Sequence, residues 1–206
     1  MALPGRLSEI PNIGTSDFLL FEALLNPLDL AYWLESRAEP LKERWLQDLR
    51  LRGASHQDGV DELLEYFVEL LLELLPNLLG RYRDQIEPLW TQTSELFGSL
   101  AATRGLAAGE AVEEAQILRE AVLRLLYQDP PLAPAGPMGL REVLRLNRML
   151  DELVTYTSVG HTDALFFALF QGSGVPERLS DDVRYELRSQ LETIRASLDE
   201  VGAVLR

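Results

Sequence analysis

Apolar residues recur every three or four positions along almost the whole 206-residue chain. No run alternates apolar and polar residues with the β-branched content of a strand. The pattern predicts an all-α fold, globin-like or a multi-helix bundle, because both obey the same periodicity. Ser16 can cap a short helix over 17–25 that stops at Asn26 and Pro27. Residues 28–52 read as one helix or a pair, with Pro40 the break or a first-turn residue of the second half. Over 61–75, Leu63, Phe67, Leu70, Leu71 and Leu74 share one face, and Glu62, Glu65, Glu69 and Glu73 share another. Pro76 starts a new helix or kinks this one. Helices over 84–102 and 108–127 follow, separated by Gly105. The second sets Ala111, Ala115, Leu118, Val122 and Leu125 on one seam, with Glu113, Glu114, Arg119, Glu120 and Arg124 largely off it.

Four prolines and two glycines in DPPLAPAGPMG preclude regular structure over 129–139. Beyond it, Leu146, Leu150, Leu153 and Thr157 mark a long helix over 140–159, which Gly160 bends before 161–170. QGSGVP at 171–176 is a second break. Ser180 caps the last helix, with Asp181 and Asp182 in the first turn, where the helix dipole favours carboxylates. That helix carries Leu187, Leu191, Ile194, Leu198, Val201 and Leu205 at alternating spacings of four and three, a heptad seam. A seam this short is marginal by itself, so it pairs with a copy of itself or docks on the body.

Charge narrows the partners. A formal net charge of −14, with arginines interleaved among glutamates, argues against nucleic acid and against an anionic membrane surface. Without cysteine, disulfides, thiol catalysis and zinc–thiolate sites are excluded. The opening MALPGRLSEIPNIG lacks the charged-then-apolar order of a secretion signal. The most apolar stretch, 63–79, carries Glu65, Glu69 and Glu73 about once per turn, which suits a buried amphipathic helix and not a membrane span. The expectation is a soluble cytoplasmic protein with no membrane insertion.

Candidate chemistry is sparse. No nucleophile lies beside a base, and no phosphate loop is present, so the reading is a non-enzyme. His161, in SVGHTDALFFALF beside Phe166 and Phe167, is the one candidate haem ligand, weighed against a core or helix-start histidine. His56 sits in a turn. No cofactor and no metal are expected, since a di-metal bundle would want Glu-x-x-His repeats. Glu62, Glu65, Glu69 and Glu73 form a partner-binding stripe or a solvated face. Trp33, Trp45, Trp90, Tyr66, Phe67 and Phe97 read as core, with a small-molecule pocket between helices as the functional alternative. Among charge pairs, Glu120–Arg124 has good helical spacing and Glu114–Arg119 poor. Asp151 is a local partner for Arg148, and Arg119 and Arg148 are the arginines placed to reach across helices.

Two stretches carry a resemblance. Arg104, Gly105, Glu110, Ala111, Val112, Glu114, Leu118 and Arg119 match a glycine-led helix of the type RG–x–EAV–EE–x–LR–x–A. Leu146, Asn147, Arg148, Leu150, Asp151 and Glu152 match a later LNR–x–LDE helix, and LKERWLQDLR at 41–50 matches an opening helix. Over about residues 38–170 the chain thereby resembles the RsbRD-like N-terminal sensor domain of bacterial stressosome co-antagonists, which also precedes some histidine kinases. The resemblance implies an all-helical stress-response sensor that signals by protein contact, without haem or catalysis. In the last helix, VRYELRSQLETI resembles the histidine-kinase phosphoacceptor box through Glu186, Leu187, Arg188, Leu191 and Ile194. Tyr185 stands at the phosphoacceptor position and Gln190 at the proline, so the likeness implies a relic or mimic of a two-component kinase dimerisation helix, with association kept and phosphotransfer lost.

The resulting division is an N-terminal helical extension at 1–37, a sensor domain at 38–172 and a dimerisation and signalling helix at 177–206. The expected function is non-catalytic bacterial signal transduction through contacts with other signalling proteins, as a homodimer hinged at Gly160 and 171–176. A constitutive helical adaptor is the alternative.

Overall fold

A computed structural model of the chain describes residues 27–52, 59–131, 140–170 and 179–204. The 17–25 helix, His56, the 171–176 break and Leu205 lie outside the described residues. Among those described there are seven helices and no strand: α1 (Pro27–Ser36), α2 (Ala38–Arg52), α3 (Val60–Asn77), α4 (Arg83–Thr103), α5 (Ala108–Gln128), α6 (Leu140–Phe170) and α7 (Asp181–Val204). The fold is an all-α multi-helix bundle.

The centre of the bundle is α3, for a reason visible in its sequence. VDELLEYFVELLLELLPN is apolar around most of its circumference, and a helix of that kind must be surrounded. Leu63, Phe67, Leu70, Leu71 and Leu74 are buried as the periodicity predicts, and so are Leu64, Val68, Leu72 and Leu75 on the flanks. Four helices, α1, α2, α4 and α7, pack around it. Pro40 occupies the first turn of α2, where its missing N–H leaves no hydrogen bond unmade, and Pro76 sits in the last turn of α3. Trp45 and Phe67 both meet Phe97 of α4, with ring centroids 5.7 and 5.8 Å apart, so three helices share one aromatic cluster.

Helix α4 ends where Gly105 takes φ +77°, a left-handed conformation that glycine adopts without a Cβ clash. The Gly105 N–H donates to Ala102 O and the Leu106 N–H to Ala101 O, closing a Schellman motif. Glu110 then accepts from the Ala107 N–H at the start of α5. The chain therefore reverses in four residues, and α5 runs antiparallel to α6, as the pairs Leu106–His161 and Arg119–Asn147 record.

Helices α4 and α6 run parallel, since the contacts Leu79–Arg145, Arg83–Glu152 and Ser99–Gly160 rise together along both chains. Their closest approach is at Gly98 and Gly160. A Cβ on Gly160 would overlap the Glu95 carbonyl, and one on Gly98 would overlap the Thr157 carbonyl. This corrects the reading of Gly160 as a bend or hinge. Helix α6 is continuous over 31 residues, and Gly160 is buried inside it. The glycine is required by backbone contact between helices and not by flexibility. The sequence pattern could not separate the two roles, because both call for a residue without a side chain.

One core cluster runs from Leu30 in α1 to Leu198 in α7. Leu30, Ala31, Trp33 and Leu34 are buried, and the Trp33 indole N–H donates to Asp129 O at 2.9 Å. Arg37 pairs with the Asp129 carboxylate at the same place. Residues 27–37 are thus part of the bundle where the sequence suggested an extension, and α7 is a part of it too. Beyond His161, by contrast, no residue of α6 is buried, and only Ala164, Leu165 and Ala168 of 162–170 are partly covered.

Candidate functional site

The acidic stripe on α3 faces other helices of its own chain. The Lys42 ammonium, from α2, lies 2.5 Å from Glu69 and 3.2 Å from Glu65. The hydrogen bond to Glu69 is the main cause of a Lys42 pKa held above the ordinary lysine value of 10.5; Glu65 adds to it, and burial opposes it. The outer two carboxylates bind α7: Glu62 pairs with Arg188 at 2.9 Å and Glu73 with Arg195 at 3.2 Å. Arg195 also lies over the Tyr66 ring, 5.1 Å from its centroid. The hydrogen bond to Glu62 holds the Arg188 guanidinium above its usual pKa. Each of the four carboxylates expected on a partner-binding or solvated face therefore has a cation of this chain beside it.

Between those ion pairs lies the heptad seam. Leu187, Leu191, Ile194 and Leu198 are buried in the common core, and Val201 packs against it. The seam faces α3 and α4, so its apolar stripe is occupied by the body and is not left open for a second copy. Of the two alternatives the heptad pattern allowed, docking on the body is the one observed. Ser180 accepts from the Val183 N–H at 3.3 Å, as the capping pattern predicts. Tyr185, at the kinase-like phosphoacceptor position, is exposed in the first turns of α7.

The two motifs behind the resemblance become interhelical clamps. Arg104 donates both guanidinium nitrogens to Glu114, at 2.8 and 2.9 Å, with both side chains almost wholly buried. The Trp45 indole donates to the Glu114 carbonyl at 3.0 Å, bringing α2 onto the same residue. Reading Glu114 as lying off the seam was wrong. It stands at i+3 from Ala111 and one before Ala115, inside the buried stripe, and the spacing alone could have shown it. The second clamp places Arg119 against Asn147 (2.7 Å) and Asp151 (2.9 Å), with Asn147 donating to Asp151. Arg119 crosses between helices as expected. Arg148 does not: it is exposed, its ion partner is Glu152 on its own helix, and Asp151 pairs with Arg119 instead. Glu120 and Arg124 form the expected intrahelical pair.

His161 is buried at the α4–α5 reversal, and its Nε2–H donates to Leu106 O at 2.8 Å. That bond commits the tautomer and the ring nitrogen to a backbone carbonyl. Nδ1 is buried without a hydrogen-bond partner. Phe166 and Phe167, which the sequence placed beside it as an apolar surround, are exposed farther along α6. His161 thus fits the core-histidine reading and not that of a haem ligand. Trp33, Trp45, Trp90, Phe67 and Phe97 fill the core, and Tyr66 lies under Arg195. A cleft of ≈ 540 Å³ opens instead over the acidic stripe, lined by Glu35, Glu39, Lys42, Glu69, Glu73 and Arg195 among others. Among the described residues no group of three or more His, Asp and Glu could hold a metal ion, and no helix is long and apolar enough to cross a membrane.

Compared with known proteins, the chain matches no family model, no curated protein and no solved structure.

Proposed function

We propose that this chain is a non-catalytic signal-transduction protein whose output is the docked or undocked state of α7. The observation that carries the reading is how α7 is held. Four buried seam residues and two ion pairs bind it to α3 and α4, and both pairs have substantially exposed partners. Ion pairs this exposed add little, so most of the docking energy is apolar and non-directional. Another helix with a similar apolar stripe competes for the same groove. Signal transmission requires an element with two states that a stimulus can bias, and α7 is such an element. The RsbRD-like resemblance supports a sensor as the source of the bias. The Arg104–Glu114 and Arg119–Asn147–Asp151 clamps, built from the matching residues, give that sensor a rigid frame.

Native-state hydrogen exchange tests this. Amides of 181–204 are expected to open with a free energy well below that of global unfolding. The Glu62→Lys, Glu73→Lys variant is expected to speed their exchange while leaving α3–α6 protected. Exchange of α7 only through global unfolding would remove the signalling reading and leave the constitutive adaptor, in which the helix is a permanent part of the bundle.

A further inference from the structure

The end of α6 is the most unusual surface of the molecule. Phe166, Phe167, Leu169 and Phe170 are 62, 70, 68 and 79% exposed, within five residues of one helix. Phe166 and Phe170 already rest on each other, with ring centroids 5.1 Å apart. Val159, also exposed, lies two turns below Phe166 on the same face. Single exposed apolar residues are ordinary, but a contiguous aromatic patch on one helix marks a contact surface. None of these side chains belongs to the core into which the α7 seam docks.

We infer that the end of α6 binds the same segment of a second copy, making a two-fold dimer through Phe166, Phe167, Leu169 and Phe170. Three arguments select that occupant. The first is charge. Two chains of net charge −14 repel each other, and residues 164–176 are the longest uncharged run in the sequence. Two copies meeting there bring together the part of each chain that carries no charge. The second is area. A phenylalanine offers about 200 Å² for burial, so the three exposed rings supply about 400 Å² per copy. Two copies bury about 800 Å² from these rings, and Leu169 and Val159 bring the total near the ~1,000 Å² of a specific interface. The third is symmetry. A two-fold contact sets a patch against itself, which an uncharged aromatic stripe permits and a charged one does not. A lipid surface fits less well. Membrane-surface helices carry Lys or Arg along the polar face, whereas the polar residues here are Thr162 and Asp163.

Sedimentation equilibrium of the full chain into the high micromolar range tests the inference, with Phe166→Glu, Phe170→Glu and the milder Phe166→Ser, Phe170→Ser as variants. All these positions are exposed, so thermal melts of the variants should match the parent at concentrations dilute enough for both to be monomeric. The expected result is a monomer–dimer equilibrium in the parent, weakened about tenfold or more by either double variant and strengthened by added salt. Adding Phe166→Ser, Phe170→Ser to the α7-loosening Glu62→Lys, Glu73→Lys variant is expected to weaken its dimer as it does the parent's, which separates this contact from the proposed function. A strictly monomeric parent, or double variants that associate as the parent does, would overturn it. So would a monomeric parent that co-sediments with phosphatidylcholine vesicles, which would assign the patch to lipid.

Discussion

Arg104 and Glu114 are two opposite charges from which water is almost wholly excluded, and they hold together the reversal between α4 and α5. Such a pair contributes little net stability, since desolvation offsets attraction, but removing one partner strands the other charge in the interior. Arg104→Ala is therefore expected to cost about 3–5 kcal/mol, measured by urea unfolding at neutral pH. Arg104→Met with Glu114→Leu should recover most of that loss, because no buried charge is left. Equal losses in the single and double variants would show that packing and not charge sets the energy. At this scale the sequence is legible where spacing decides and opaque where partners do. Glu120–Arg124 follows from a separation of four residues. Arg119 with Asn147 needs two helices brought together across 28 residues, and Glu114 needs a partner from the preceding helix.

Among the elements, α2 adds to its apolar packing on the central helix one cation shared by two carboxylates. Lys42 meets Glu69 and Glu65, and its folded-state pKa is raised above 10.5. A raised pKa on a cation means stability that is fully present below the unfolded value and lost as pH climbs through the folded value. The stability difference between the parent and Lys42→Met is thus expected to stay constant from neutrality to about pH 10 and to shrink above it. Its plateau should be roughly 0.5–1 kcal/mol, since Glu65 and Glu69 remain partly solvated. Thermal melts between pH 7 and 11.5 measure it; a difference that grows at alkaline pH would contradict the assignment. Helix positions were largely readable, because caps, prolines and apolar spacing are local signals: 84–102 became Arg83–Thr103 and 108–127 became Ala108–Gln128. The continuation of α6 through Gly160 was not readable, since the reason for that glycine lies on α4.

For the whole molecule, the all-α class followed from periodicity, while the docking partners of the helices did not. A heptad seam is the same string of residues whether it faces a second copy or the chain's own core, and here α3 and α4 cover it. The acidic stripe shows the same ambiguity. Four glutamates on one face read as an open surface until Lys42, Arg188 and Arg195 arrive from two other helices. Among the described residues the end of α6 is left as a large exposed apolar surface, and the net charge of −14 decides how it behaves. Screening shortens the reach of that charge from about 10 Å at 0.1 M salt to about 3 Å at 1 M, so dimerisation through 166–170 should tighten with ionic strength.

The backbone crossing of α4 and α6, at Gly98 against Thr157 and Gly160 against Glu95, also bears on the order of assembly. Parallel neighbours α4 and α6 can meet only after α5 has folded back between them in sequence, and the hydrogen bond from Ser99 to Gly160 O spans 61 positions. Local helices and the α4–α5 reversal form before a contact of that separation rewards closing the loop. The crossing is then absent from the folding transition state. In a chevron experiment Gly160→Ala should speed unfolding several-fold and leave refolding in dilute denaturant unchanged. The two glycines would set how long the native bundle lasts, not how fast it is reached.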